Sequence, residues 1–211
     1  MSLLKKSKSF KGGVHPAEQK AITSQLPFEL MPAPKQVVIP LSQHLGKPAK
    51  PLVKKGADVK TGEVIAEQDG FISSPIHSPV TGKVIKVSAD SNVSGFPKEA
   101  IIIQASEKDD CLLLPILDSE KISPDEIRER AKAAGIVGQG GAAFPTYVKL
   151  TPPEGKQIDV VILNGCECEP YLTRDYRFMV ERTEAVVQGL RLIMKALGVA
   201  KGAIGIEDNK P

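Results

Sequence analysis

Two short stretches of the 211-residue sequence bring together residue types that can do chemistry. The first is GQGGAAFPTYVKL, residues 138–150. Successive backbone N–H groups with no Cβ in the way can form a concave nest for an anion. Pro145 holds Phe144 extended and pre-sets a first helical turn. A helix N-terminus there would add partial positive charge, and Lys149, one turn in, a full one. On this reading the glycines of the loop cradle a phosphate. The plain alternative is a tight loop packed against a strand.

The second stretch is NGCECEPYLTRDYR, residues 164–177. Asn164 ends an apolar run that reads as a strand, and open α/β sheets bind ligands at the carboxyl ends of their strands. Asn164 offers both a donor and an acceptor. Glu167 and Glu169, two residues apart, can face one side of an extended segment. Carboxylates so placed suit ribose hydroxyls or a nicotinamide amide. The alternative is surface acids paired with Arg174 or Arg177.

Neighbouring patterns fail on context. GQGGAA satisfies G-x-G-x-x-G/A, but a dinucleotide fingerprint needs a strand before the glycines and an acid at the end of the next strand. Here a helix precedes the loop and Asp159 stands at the start of the next strand. No G-K-[ST] follows, so a P-loop is excluded. Cys166 and Cys168 lack two further ligands at metal-binding spacing, so no metal site is expected. A disulfide between them would be strained, and no catalytic nucleophile can be named.

Bulk composition narrows the class. The chain is 41% hydrophobic, which supports a packed core, and only 4% aromatic without Trp, which argues against stacking on single-stranded nucleic acid. A net charge of +3 implies no nucleic-acid or membrane-surface partner. The charge is uneven: residues 1–100 carry +6 and residues 101–211 carry −3, which suggests two units. Three cysteines, an odd number, suit a reducing, cytosolic setting better than a disulfide framework. No apolar run approaches the ~20 residues of a membrane helix, and MSLLKKSKSF is too short in apolar residues for a signal peptide.

The elements that must position the two stretches follow from periodicity. Residues 1–35 read as irregular, with FKGGVHP (residues 10–16) a loop in which His15 makes a local hydrogen bond. Residues 36–111 hold short β-branched runs at Gln36, Val64-Ile65, Val84–Val87 and Ala100–Ala105, separated by Gly and Pro, which predicts a small β sandwich or barrel. Residues 112–211 read as α/β. SPDEIRERAKAAG has Ser123 as N-cap, Pro124 at N1, Glu126 at N3 and a stop at Gly135. IDVVILNG predicts a buried parallel strand. YRFMVERTEAVVQGLRLIMKALG predicts one long helix with its stripe at Phe178, Val186, Leu190, Ile193 and Leu197. GAIGIED predicts a second strand, and the spacing predicts that the sheet continues past Pro211.

Within the β region, GADVKTGEVIA and SPVTGKV resemble the two half-repeats of the biotinyl/lipoyl sandwich, a barrel-sandwich hybrid. The hairpin that carries the modified lysine there is replaced by DGFISSPIHSP, which has no lysine, so the fold is expected without the carrier chemistry. His77 in this loop is expected to be structural or a contact residue.

Taken together, the chain resembles the RnfC family of Rnf electron-transport complexes. Its second part is similar to the flavin-bearing NADH-oxidising subunit of respiratory complex I, whose motifs read roughly G-R-G-G-A-G-F-P-T-G-x-K-W and N-x-D-E-x-E-P-x-x-x-K-D-R. FKGGVHP and GIEDNKP resemble the Rnf branch specifically. The resemblance implies that Gly138, Gln139, Gly140 and Gly141 cradle flavin mononucleotide (FMN), with Lys149, Asn164 and Glu167 near its ring system or phosphate. It implies that Phe144 stacks on NADH and Glu169 contacts its ribose. It implies 4Fe-4S clusters beyond residue 211, partner subunits of an ion-translocating membrane complex, indirect exchange with ferredoxin, and a peripheral position on the cytoplasmic face of the membrane without insertion into it. Gln139, Ala143 and Cys166 depart from the complex I pattern, where Arg, Gly and Asp stand, and Tyr147 and Leu150 differ too. Two rival readings share the scaffold: a flavin-dependent cobalamin reductase and a non-catalytic docking subunit.

Overall fold

A computed structural model describes residues 14, 16–91 and 97–210. Most of the FKGGVHP motif, including His15, lies outside the described residues. The chain divides into two compact units, one of Met31–Val161 with Leu190–Gly202, the other of Met1–Leu30, Ile162–Gly189 and Ala203–Pro211.

The first unit is built on a β sandwich. One sheet has the order β1-β7-β6-β3, from β1 (Gln36–Pro40), β3 (Asp58–Val59), β6 (Gly82–Ser91) and β7 (Pro97–Ala105). The other has the order β2-β4-β5, from β2 (Lys50–Pro51), β4 (Val64–Glu67) and β5 (Ile76–His77). Pairing is antiparallel throughout, and Ile103 sits opposite Val37 on one side and Val84 on the other. The inward-facing Leu41, Val59, Ile65, Ile76, Val84, Ile101 and Ile103 form one core. Residues two apart share a face, so Ile101 and Ile103 enter this core together, while burial itself runs through consecutive residues at Ile65-Ala66 and Ala100–Ile103.

Gly82 shows why the V-T-G-K-V turn needs its glycine. A Cβ there would lie 2.1 Å from the Gln104 carbonyl oxygen on β7. The chain enters β6 so close to its neighbour that only hydrogen fits.

Helix α1 (Pro124–Ala133) forms as its sequence predicts. The Ser123 hydroxyl accepts from the Glu126 N–H, and the Glu126 carboxylate accepts from the Ser123 N–H. Gly135 follows at φ +65°, the left-handed conformation that closes a helix. Ile127 and Ala131 of α1 bury with Leu150, Ala196 and the flanking Ile193 and Leu197 in a second core. Arg128 ties these pieces by donating to the carbonyls of Leu150 (3.0 Å) and Ala196 (2.6 Å).

Three expectations are corrected. The helix after the glycine loop, α2 (Thr146–Lys149), is a single turn, too short to sum a useful dipole, so the positive charge near the loop comes from Lys149 itself. The predicted long helix is two, α3 (Arg174–Glu181) and α4 (Thr183–Leu197). At the break Arg182 leaves helical geometry at φ −133°, and the Thr183 hydroxyl bonds back to the Met179 carbonyl at 2.6 Å. That side-chain bond competes with the backbone ladder. The strand predicted to be buried, β8 (Val161–Asn164), leaves Ile162 66% exposed, because it pairs only with β9 (Gly202–Gly205). The bonds Val161 N–H to Lys201 and Gly165 N–H to Gly205 keep the same register offset, as in parallel strands.

Candidate functional site

The glycine loop belongs to the first unit. Its base is pinned: the Gly138 N–H donates to the Phe144 carbonyl at 2.8 Å, Val137 bridges Pro145, and the Leu45 N–H donates to the Ala142 carbonyl at 3.0 Å. Pro145 is fully buried beneath it. The crest is open. Gln139, Gly140 and Gly141 are exposed, and no hydrogen bond among the described residues uses the N–H of Gly140 or Gly141. A Cβ built on Gly140 or Gly141 would meet nothing within 4 Å, and neither glycine has a left-handed φ. Neither conformation nor packing within the chain therefore requires glycine at these two positions.

Lys149 completes this half. Its Nζ lies 3.0 Å from where a Gly138 Cβ would stand. The four-residue turn of α2 thus folds an ammonium back over the first glycine. Exposed N–H donors beside a cation make an anion site of useful strength.

Ala143 sits at φ +45°, a conformation that favours glycine. The structure shows strain at the position where the complex I pattern has glycine. Tyr147, another departure, is buried, donates its hydroxyl to the Phe71 carbonyl, and lies under the Lys132 ammonium at 5.6 Å. It anchors α2 to the loop that stands in place of the carrier hairpin. Nothing in the sequence except that departure marks this role. His77 also serves structure: burial, its main influence, holds its imidazole below the ordinary 6.5, partly opposed by a hydrogen bond with the Ala133 backbone.

The acidic loop belongs to the second unit. Asn164 ends β8 and its Oδ1 accepts from the Cys166 N–H at 3.1 Å, which turns the chain out of the strand. Glu167 is only 4% exposed. Its Oε1 accepts from the Asp175 N–H at 2.8 Å, in the first turn of α3, where the helix favours negative charge. Its Oε2 is buried, with no hydrogen-bond partner among the described residues. A buried carboxylate oxygen left unsatisfied is costly unless something supplies a donor.

Glu169, Cys166 and Cys168 are exposed, and the cysteines are unbridged. The surface-acid alternative does not hold for Glu167: Arg177 pairs with Glu181 at 2.7 Å and Arg174 with Asp175 at 3.0 Å. Among the described residues no group of three His, Cys, Asp or Glu side chains could hold a metal ion. Sequence reasoning missed Lys20, whose ammonium binds this loop's backbone from 147 residues away.

The glycine loop thus offers open N–H groups beside a cation, and the acidic loop holds Glu167 buried and Glu169 exposed. Among the described residues no helix is long and apolar enough to cross a membrane.

Residues 8–108 match the RnfC barrel sandwich hybrid domain, and residues 131–211 match the Nuo51 FMN-binding domain. The chain is 47% identical over 207 residues to the C component of the proton-translocating ferredoxin:NAD(+) oxidoreductase complex of Clostridium ljungdahlii, covering 97% of this chain and 45% of that protein. It is 46% identical over 204 residues to the counterpart from the Na(+)-translocating complex of Acetobacterium woodii, covering 96% and 46%. It is 42% identical over 206 residues to the C component of the ion-translocating oxidoreductase complex of Rhodobacter capsulatus, covering 96% and 40%. The chain spans less than half the length of these relatives. With a barrel sandwich hybrid followed by an FMN-binding portion, it belongs to the RnfC family.

Proposed function

We propose that this chain is the flavin-holding part of a peripheral subunit in an ion-translocating ferredoxin:NAD oxidoreductase complex. The observation that carries the reading is the pair Gly140 and Gly141, glycines that neither backbone conformation nor internal packing explains. Room for a ligand phosphate explains them.

FMN, when bound, supplies the chemistry: it accepts hydride from NADH and releases electrons singly. The chain's own residues bind and orient. Gly138, Gln139, Gly140 and Gly141 offer backbone donors to the phosphate, and Lys149 offers charge. Asn164 and Glu167 serve the flavin side. Phe144 and Glu169 serve the NADH side. With Gln139 in place of arginine, Lys149 carries more of the attraction for the phosphate.

The reading divides the chain at residues 35/36 and 111/112, between an irregular segment, the sandwich and the nucleotide-binding part. It puts 4Fe-4S clusters outside the stretch that this chain shares with its relatives. The three cysteines here, Cys111, Cys166 and Cys168, form no C-x₂-C-x₂-C run. It docks the protein at the cytoplasmic face, against membrane partners that pass electrons between NADH and ferredoxin.

Paired titrations of the full-length protein with FMN and with riboflavin test this reading. The phosphate nest predicts saturable quenching by FMN and an affinity for riboflavin lower by roughly 100-fold, the worth of two charge-assisted hydrogen bonds. Equal affinities would remove the glycine loop from the site.

A further inference from the structure

Lys20 is 8% exposed, although it lies in a 3-10 turn (Lys20–Ile22) preceded by exposed residues. Its Nζ donates to the carbonyls of Glu167, Glu169 (2.9 Å) and Leu172 (2.8 Å). An ammonium has three N–H donors in a tetrahedral spread, and all three are used here on backbone. Burying such a charge is costly, so it endures only where the acceptors are held in place around it.

The surrounding segment grips the same stretch. The Tyr171 N–H donates to the Glu18 carbonyl at 2.7 Å, with Tyr171 itself held at φ +67°. The Thr23 and Thr173 hydroxyls meet at 2.8 Å. Phe28 packs edge-on against Phe178, with ring centroids 6.3 Å apart, and its N–H reaches the Glu181 carboxylate at 3.2 Å. The ties from Glu18, Lys20 and Thr23 converge on residues 167–173, and those from Phe28 hold the helix that follows, α3.

We propose that Lys20 is a positioning residue. By gathering the carbonyls of Glu167, Glu169 and Leu172 on one ammonium, it locks the acidic loop in the conformation that turns Glu167 inward and leaves Glu169 exposed for the nucleotide. The proposal rests on the reading that Glu169 contacts bound NADH.

The test uses the flavin-loaded full-length protein with Lys20→Met, which keeps the length and removes the donors. Amide hydrogen exchange across residues 166–171 is expected to quicken roughly 10- to 100-fold, with β6 and β7 unchanged. KM for NADH is expected to rise about tenfold with kcat nearly kept, because misplacement of a binding group weakens binding before it touches the hydride step. Lys20→Arg, which keeps charge in a planar fork, is expected to restore part of both. Unchanged exchange overturns the proposal, and so does faster exchange with unchanged KM. Glu169→Gln in the same assay separates the two ideas. If it raises KM while Lys20→Met does not, the positioning role fails and the site stands. If neither variant moves KM, the site reading fails and the proposal with it. Should Lys20→Met not fold, Thr23→Val loosens the same segment more gently, and unchanged exchange and KM there overturn the proposal as well.

Discussion

Gly82 in the sandwich and Gly140 in the glycine loop are the same residue in opposite surroundings. At Gly82 a Cβ would strike the Gln104 carbonyl at 2.1 Å, so the fold itself forbids a side chain. At Gly140 a Cβ would project into open space. The first glycine is explained by what surrounds it in the chain. The second has no such reason among the described residues, and the proposed phosphate site would give it one.

The largest effect that separates the two regions is on stability. Gly82→Ala should cost about 3 kcal/mol or more, since strand β7 must move to admit the methyl group. Chemical denaturation measures this. A cost near that of an ordinary surface change would show that β6 and β7 are less tightly paired than described. Lys149→Gln works in the other direction: it should weaken FMN binding about tenfold and leave unfolding unchanged, because one charge-assisted contact is lost from an exposed site. A titration and a melt on the same sample check both halves of that statement.

How far this contrast was legible in the sequence depends on the range of each interaction. The capping box of α1 was readable because Ser123 and Glu126 stand three residues apart and bond to each other. The sandwich was readable because the T-G turns and β-branched runs repeat at strand spacing. The glycine loop and the N-x-x-E-x-E cluster were readable as candidates from residue type alone. The burial of Glu167 was not, since its partner N–H on Asp175 lies beyond a turn and looks like any surface residue. Lys20 was invisible as one of 14 lysines in the first 100 residues. The break at Arg182 was hidden because apolar spacing continues through it, and only the Thr183 hydroxyl ends the ladder.

Two smaller effects sharpen the comparison. Ala143→Gly relieves a left-handed φ of +45° and should stabilise the chain by about 0.5–1 kcal/mol. A thermal melt reads this, and no gain would mean that the φ value is not strained. The smallest effect is in pH. Burial holds His77 below the ordinary 6.5, so the unfolded chain takes up a proton there more readily than the folded one. The contribution of His77 is therefore present above pH 6.5 and lost as pH falls from there through the lower folded value. Wild type should melt progressively earlier over that range, and His77→Gln should flatten part of the slope. An identical slope in the variant would remove His77 from the account.

The most direct test of the central claim is Gly140→Asp, followed by an FMN fluorescence titration and a thermal melt of the same full-length protein. The account predicts an unchanged melt, because the new side chain enters open space, and an affinity lower by roughly 100-fold or more, because a carboxylate enters the phosphate nest. Unchanged FMN affinity with an unchanged melt would contradict it and leave Gly140 without a role.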